Sequence, residues 1–163
     1  MTDADLANVV INPDDFLEID GVRVWTPERN AYAWAQSYKA LEQAIADSGA
    51  LRVVVVCGVQ GAGKTNWIAS QPVSSARIYF DAALPGVRHR AHIIRIAKER
   101  DVPIDVVWIR TPVETAIERN ARRPPDEIVP IAAIRSVANQ FEEPTTEEGF
   151  DRVLIVDGGP MPR

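Results

Sequence analysis

Residues 51–65, LRVVVVCGVQGAGKT, constrain this chain more than any other stretch. The first seven are dominated by β-branched valine with no polar alternation, which describes a strand buried on both faces. The next eight, Gly58, Val59, Gln60, Gly61, Ala62, Gly63, Lys64 and Thr65, fit the pattern G-x-x-x-x-G-K-[ST]. Glycines at these places let the backbone curl so that successive N–H groups point inward at phosphate oxygens. At this spacing Lys64 reaches the β- and γ-phosphates of a nucleoside triphosphate, and Thr65 offers its hydroxyl to Mg²⁺. A helix starting near Gly63 adds its positive N-terminal end. The bland alternative is a Gly-rich turn with an incidental lysine. A buried strand before the motif and a helix after it argue against that.

From residue 51 onward strands alternate with helices. Strands are expected over 51–57, 77–81, 104–109 and 152–156. Helices are expected from about 63 to before Pro72, over 87–100, 113–120 and 129–141, with a charged, Pro-rich loop at 121–127. This alternation predicts βαβ units, a mostly parallel sheet of about five strands and a three-layer αβα P-loop domain over 51–163. Residues 1–50 read as an N-terminal extension packed on that core. Residues 1–13 are polar and expected to be loose, and 16–25 read as two short strands around Asp20-Gly21. Thr26-Pro27 starts a helix that runs to about Ser48, with Gly49 as its stop. Ala31, Trp34, Ala35, Tyr38, Leu41, Ala44 and Ile45 recur at helical spacing and form its apolar face.

Composition narrows the function classes. A formal charge of −5 argues against a protein coated in positive charge for gripping nucleic acid, though not against a local basic channel. One cysteine excludes an intramolecular disulfide and a Cys-built zinc site, and Cys57 ends an apolar run as a buried thiol would. The two histidines stand at i and i+3 with no acid at ligand spacing, so no metal site is expected there. The N-terminus lacks a basic-then-apolar signal pattern, and no apolar run approaches the ~20 residues of a membrane span. A cytoplasmic, soluble protein is the expectation.

In parallel sheets ligands bind beyond the carboxyl ends of the strands, where Gly58, Asp81, Arg110 and Asp157 fall. Asp81 ends an apolar strand, where a Mg²⁺-associated or base-like carboxylate is expected; a helix cap or turn is the alternative. Arg119, Arg122 and Arg123 cluster where a helix meets the Pro-rich loop. Such a loop can close over a triphosphate. On composition alone, a solvated helix end complementing the dipole explains the cluster better. Arg88, His89, Arg90, His92 and Arg95 make a basic face, either solvated or turned to a substrate.

The order of these stretches resembles the P-loop kinase family that includes phage polynucleotide kinase, grouped with zeta-toxin-like, AAA-type kinases. The resemblance covers roughly residues 51–157. It runs through VVVVCGVQGAGKT, RIYFDAALPGVRHRAHIIRIAKERDVPIDVVWIRTP, ERNARRPPDEIVPIAAIRSVANQFEEP and EGFDRVLIVD. Family members show a strand ending in Asp, then Pro and Arg at the next helix start, then a strand leading into Thr-Pro. An R-N-x-x-R lid follows, here Arg119, Asn120 and Arg123, and then a V-P-x-x-x-[IL]-R helix, here Val129-Pro130 through Arg135. The resemblance implies that Arg123, with Arg119, contacts ATP phosphates, which reverses the composition-only reading of the cluster.

One departure stands out. In that family the P-loop helix is followed by a strand and an acidic segment whose Asp, with a nearby Arg, activates the acceptor hydroxyl. Here only about ten residues separate Thr65 from the strand ending at Asp81, and that strand resembles the family's later one. Either Asp81 doubles as base or another segment supplies the acid. Asp14 and Asp15, in NPDDF, are the candidates. The expectation is therefore an ATP- and Mg²⁺-dependent, kinase-like phosphotransferase. Its acceptor would be a hydroxyl of a nucleic-acid end, a nucleoside or a small metabolite. Lys64, Asp81 and Arg123 are its catalytic candidates; residues 58 and 60–65 with Arg119 and Arg123 hold nucleotide. Thr65 and Asp81 hold metal, and Asp14, Asp15, Arg88 and Arg90 face the acceptor. The alternative is a degenerate P-loop ATPase or a nucleotide-binding module acting through a protein partner.

Overall fold

A computed structural model describes residues 8–48 and 52–159. Seven strands and five α-helices follow in chain order: β1 (Val9–Ile11), β2 (Glu18–Ile19), β3 (Val22–Arg23), α1 (Pro27–Ser48), β4 (Arg52–Cys57), α2 (Lys64–Ala69), β5 (Arg77–Asp81), α3 (Val87–Glu99), β6 (Ile104–Arg110), α4 (Val113–Ala121), α5 (Ile131–Gln140) and β7 (Arg152–Asp157). Short 3₁₀ turns lie at Pro13–Leu17, Pro125–Glu127 and Thr146–Glu148. The Gly49 helix stop read from the sequence lies outside the described residues.

The main sheet has the order β1-β5-β4-β6-β7, and every pairing in it is parallel. The valine run explains why β4 is central. Val53, Val55 and Cys57 point to one face, where they pack with Leu41 and Ile45 of α1 and Ile93 and Ala97 of α3. Val54 and Val56 point to the other, against Ile68 of α2, Ala116 of α4 and Ile134 of α5. Two apolar layers separated by one sheet give the three-layer αβα arrangement of P-loop NTPases. No described helix is long and apolar enough to cross a membrane.

Residues 8–13 differ from the expectation of a loose segment over 1–13, of which residues 1–7 lie outside the described residues. Val9, Val10 and Ile11 pair with Ile78, Tyr79 and Phe80, so β1 extends the main sheet at its β5 edge. Three residues are too few to show a period in sequence; the backbone ladder of β5 supplies the order. Past Ile11 the chain turns at Asn12, whose side chain accepts a 2.9 Å bond from the Asp14 N–H and caps the Pro13–Leu17 turn. That turn lies beside the end of β5, the edge where Asp81 sits. The sequence-predicted hairpin at 16–25 forms as β2 and β3, with Asp20 and Gly21 at positive φ in its turn.

The basic residues of α3 do not share one face. Arg90 is fully enclosed. Its guanidinium makes a two-pronged pair with Glu148, at 2.8 and 3.0 Å, and donates to the carbonyls of Leu84, Pro85 and Glu142. Every prong is thus engaged within the fold, and Arg90 is corrected from a substrate contact to a structural clamp. It joins the end of the β5–α3 loop to the segment that leads into β7. His89 accepts a 2.9 Å bond from the Gly86 N–H at the helix start, and burial lowers its pKa from the usual histidine value. His92 stacks on Tyr38 of α1 at 4.1 Å. Arg88 remains exposed.

Removing one member of a buried pair leaves the other charge without compensation, at about 3–5 kcal/mol. Arg90→Met is therefore expected to lose stability of that order in urea unfolding. Arg90→Met combined with Glu148→Leu should recover much of it. A single variant as stable as the parent would contradict the clamp.

Candidate functional site

The P-loop crosses from the end of β4 to the start of α2. Gly61 has φ of 82°, and a Cβ there would collide with the Ala116 carbonyl of α4, so close helix packing and left-handed backbone both require glycine. Gly63 has φ of 107° as the residue before α2. Lys64 is buried and donates to the carbonyls of Gly58 and Val59, each at 3.0 Å. Its amine thus lies folded along the loop it belongs to. Gln60 Oε1 is buried without a partner. The Gly58 and Ala62 N–H groups donate to the carbonyls of Ala83 and Val59, at 3.2 and 3.1 Å, and the helix that follows the loop spans only six residues.

Thr65 links the loop to β5. Its hydroxyl donates to Asp81 Oδ2 at 2.8 Å. Burial pushes the Asp81 carboxyl above the usual carboxylate range, opposed by the charge of Lys64 and by the Thr65 bond. Burial also pulls the Lys64 ammonium below the usual lysine range; nearby Asp81 opposes this and Arg123 reinforces it. Thr65 and Asp81 present two hard oxygens side by side. No group of three His, Cys, Asp or Glu able to hold a metal occurs among the described residues. A cation at this pair would complete its shell from phosphate oxygens and water, which is how Mg²⁺ is usually held.

Two arginines of the cluster, Arg119 and Arg123, act on the P-loop, while Arg122 is exposed. Arg119 donates to the Ala62 carbonyl at 3.0 Å, which Thr111 also reaches at 2.8 Å. The charge of Arg123 acts on both Lys64 and Asp81. Asn120, between them, is buried and closes the base of the loop: it accepts from the Val129 N–H at 3.0 Å and donates to the Val129 carbonyl at 2.8 Å.

The N-terminal turn reaches the same place. Asp14, half exposed, acts electrostatically on Asp81 and Lys64 and pairs with Arg23 of β3 at 3.4 Å. Asp15 is exposed; partial burial and its acidic neighbours, Glu18 foremost, push its pKa up. Arg23 escaped sequence reasoning because nothing local distinguishes it from any exposed strand arginine. In sequence Thr111 reads only as part of the strand leading into Thr-Pro; its bond to the Ala62 carbonyl, 49 residues away, has no local signal. On the opposite side of β4, a cavity of about 140 Å³ is lined by Val59, Trp108, Arg110, Thr111, Val113 and Phe141. Cys57, at the end of β4, is buried, and its thiol is pushed up to about 12 by that burial, so it stays protonated and inert.

A family model described as an AAA domain matches residues 74–144. The match covers less than half of the chain, taking in β5 through α5 and beginning after the P-loop. No curated protein matches the chain. Together with the P-loop, the match supports a nucleotide-binding, kinase-like domain.

Phosphate oxygens beside Lys64 would raise its depressed pKa back toward the usual value, so nucleotide binding takes up protons wherever free Lys64 is partly neutral. Calorimetry of Mg·ATP binding over a pH series below the usual lysine range, in buffers of different ionisation heat, should register this uptake. Lys64→Met should show none. Equal proton exchange in the two proteins would contradict the assignment.

Proposed function

We propose that this chain is an ATP- and Mg²⁺-dependent phosphotransferase that moves the γ-phosphoryl group to an acceptor hydroxyl. The nucleic-acid end, the nucleoside and the small metabolite remain the acceptor classes to be tested. The observation that carries the reading is the placement of Asp14. An added N-terminal strand delivers an accessible carboxylate to the sheet edge that holds the P-loop and Asp81.

The roles divide by environment. Asp81 is buried and bonded to Thr65, which suits the metal side of the site. Asp14 is open to solvent on one side, which suits a base that must meet an incoming hydroxyl. Asp15 and Arg88, both exposed, are proposed as further acceptor contacts. Mg²⁺, when bound, neutralises charge on the β- and γ-phosphates. Lys64 swings from the carbonyls of Gly58 and Val59 to the phosphates, and Arg119 and Arg123 approach from the lid. Asp14 takes the proton of the acceptor hydroxyl. The freed oxygen forms a bond to the γ-phosphorus as the bond to the bridging oxygen breaks, and ADP leaves with that electron pair. Positive charge from Lys64 and Arg123 stabilises the equatorial oxygens throughout.

The test uses γ-labelled ATP with a panel of 5′-hydroxyl oligonucleotides, nucleosides and hydroxyl metabolites. Label transfer is expected, and Lys64→Ala should lower it by roughly 10²–10³-fold or more. Asp14→Asn should lower kcat by about 10²-fold or more, with ATP affinity little changed. Unchanged turnover in Asp14→Asn would remove Asp14 as the base. Phosphate release with no labelled acceptor would replace the kinase reading with that of an ATPase.

A further inference from the structure

We infer that Arg23 is a positioning residue that fastens the lid loop to the acceptor-side turn, so that Asp14 and the lid arginines reach the γ-phosphoryl position as one unit. The inference rests on the phosphotransferase reading for its catalytic meaning, but its geometry is independent of that reading.

Three contacts meet at Arg23. Its backbone N–H donates to Asp126 Oδ2 at 2.8 Å, and its Nη2 donates to Glu127 Oε1 at 2.9 Å. Its Nη1 stands 3.4 Å from Asp14 Oδ2. The Arg23 side chain is only 17% exposed, whereas Glu127 and Asp14 are 34% and 49% exposed, so the guanidinium is held in place while water reaches the pairs from the acidic side. Asp126 and Glu127 form the 3₁₀ turn at the tip of the loop that begins with Arg122 and Arg123.

The two ends of this tie differ in firmness. On the β3 side the frame is fixed. The Val24 N–H donates to the Leu17 carbonyl at 2.9 Å, and Arg29, in the first turn of α1, donates to the carbonyls of Val24 and Leu17 at 2.9 and 2.8 Å. On the lid side, Asn120 pins the base of the loop to Val129, and Arg23 holds its tip. Truncating the Arg23 side chain therefore releases Glu127 and Asp14, leaving the tip held only by the backbone N–H of residue 23 on Asp126 and the base closed by Asn120. Arg123 lies between the two pins, so its distance from Lys64 and Asp81 depends on both. Asp14 is held by the same guanidinium, which couples the lid to the carboxylate across the cleft.

Two readouts test this. The first needs no nucleotide: trypsin cleavage after Arg122 in the free protein. Arg23→Ala and Glu127→Gln are each expected to speed it by about tenfold, as release of one local contact raises the open population. The second is affinity for a non-hydrolysable ATP analogue with Mg²⁺. Each variant should bind roughly 5- to 10-fold more weakly, and the double variant no more weakly than Arg23→Ala alone, because both remove one shared tie. Arg23→Lys, which keeps the charge without the fork, should fall between the parent and Arg23→Ala. Glu127→Gln lies on the loop surface, so it keeps the test valid should Arg23→Ala fold poorly. Unchanged proteolysis in Glu127→Gln, or affinity losses that multiply in the double variant, would overturn the tie. A parent protein that binds the analogue but labels no acceptor would defeat the kinase reading, while the tie would still be judged by these measurements.

Discussion

The parallel pairing of β4 with β5 on one side and β6 on the other is the constraint from which the site follows. It places the P-loop at the middle of one sheet edge, flanked by whatever ends the neighbouring strands. On the β5 side that is Asp81, joined to the loop by the 2.8 Å bond from Thr65. On the β6 side it is Arg110, Thr111 and the cavity against Val59. A central strand can hold this position only if both of its faces are covered, and the unbroken valine run meets that demand. The chemistry at the edge is therefore tied to the packing beneath it.

Charge is distributed at this edge in a way that costs stability. Lys64 and Asp81 are both buried, and burial opposes the charged form of each. The lysine is held by loop carbonyls and the carboxylate by one hydroxyl, so each retains capacity for a further partner. Phosphate and a divalent cation would satisfy both. Arg90 and Glu148 are the contrasting case: also buried, but fully engaged with one another and with backbone. The first two are joined to the loop with bonding capacity left over; the second two are closed on one another and structural.

Much of this was legible in the sequence, for identifiable reasons. The strand preceding Gly58, the loop itself and the alternation of strands and helices carry their signals within short windows. Asp81 lies at the end of β5 and Arg119 in the last turn of α4, the places in the chain that the strand pattern and the resembling lid spacing gave them; their roles are part of the proposal. β1 was not legible: three residues show no period, and their order comes from a ladder with Ile78, Tyr79 and Phe80 far along the chain. Arg90 was misread because charge on a helix suggests solvent unless its partner is known, and Glu148 is 58 residues away. Arg23 belongs with these, since its lid partners Asp126 and Glu127 lie more than 100 residues off. What sequence windows miss, in each case, is a polar contact closed by tertiary structure.

The central claim is that three segments distant in sequence build one nucleotide-bearing site: the P-loop, the lid and the N-terminal turn with its hairpin. Hydrogen exchange of the whole protein, with and without Mg²⁺ and a non-hydrolysable ATP analogue, addresses it without knowledge of the acceptor. The account predicts slowed exchange in all three segments, around residues 58–66, 119–129 and 12–24. Protection confined to residues 58–66 would contradict it, leaving a nucleotide-binding loop to which neither the lid nor the N-terminal turn contributes.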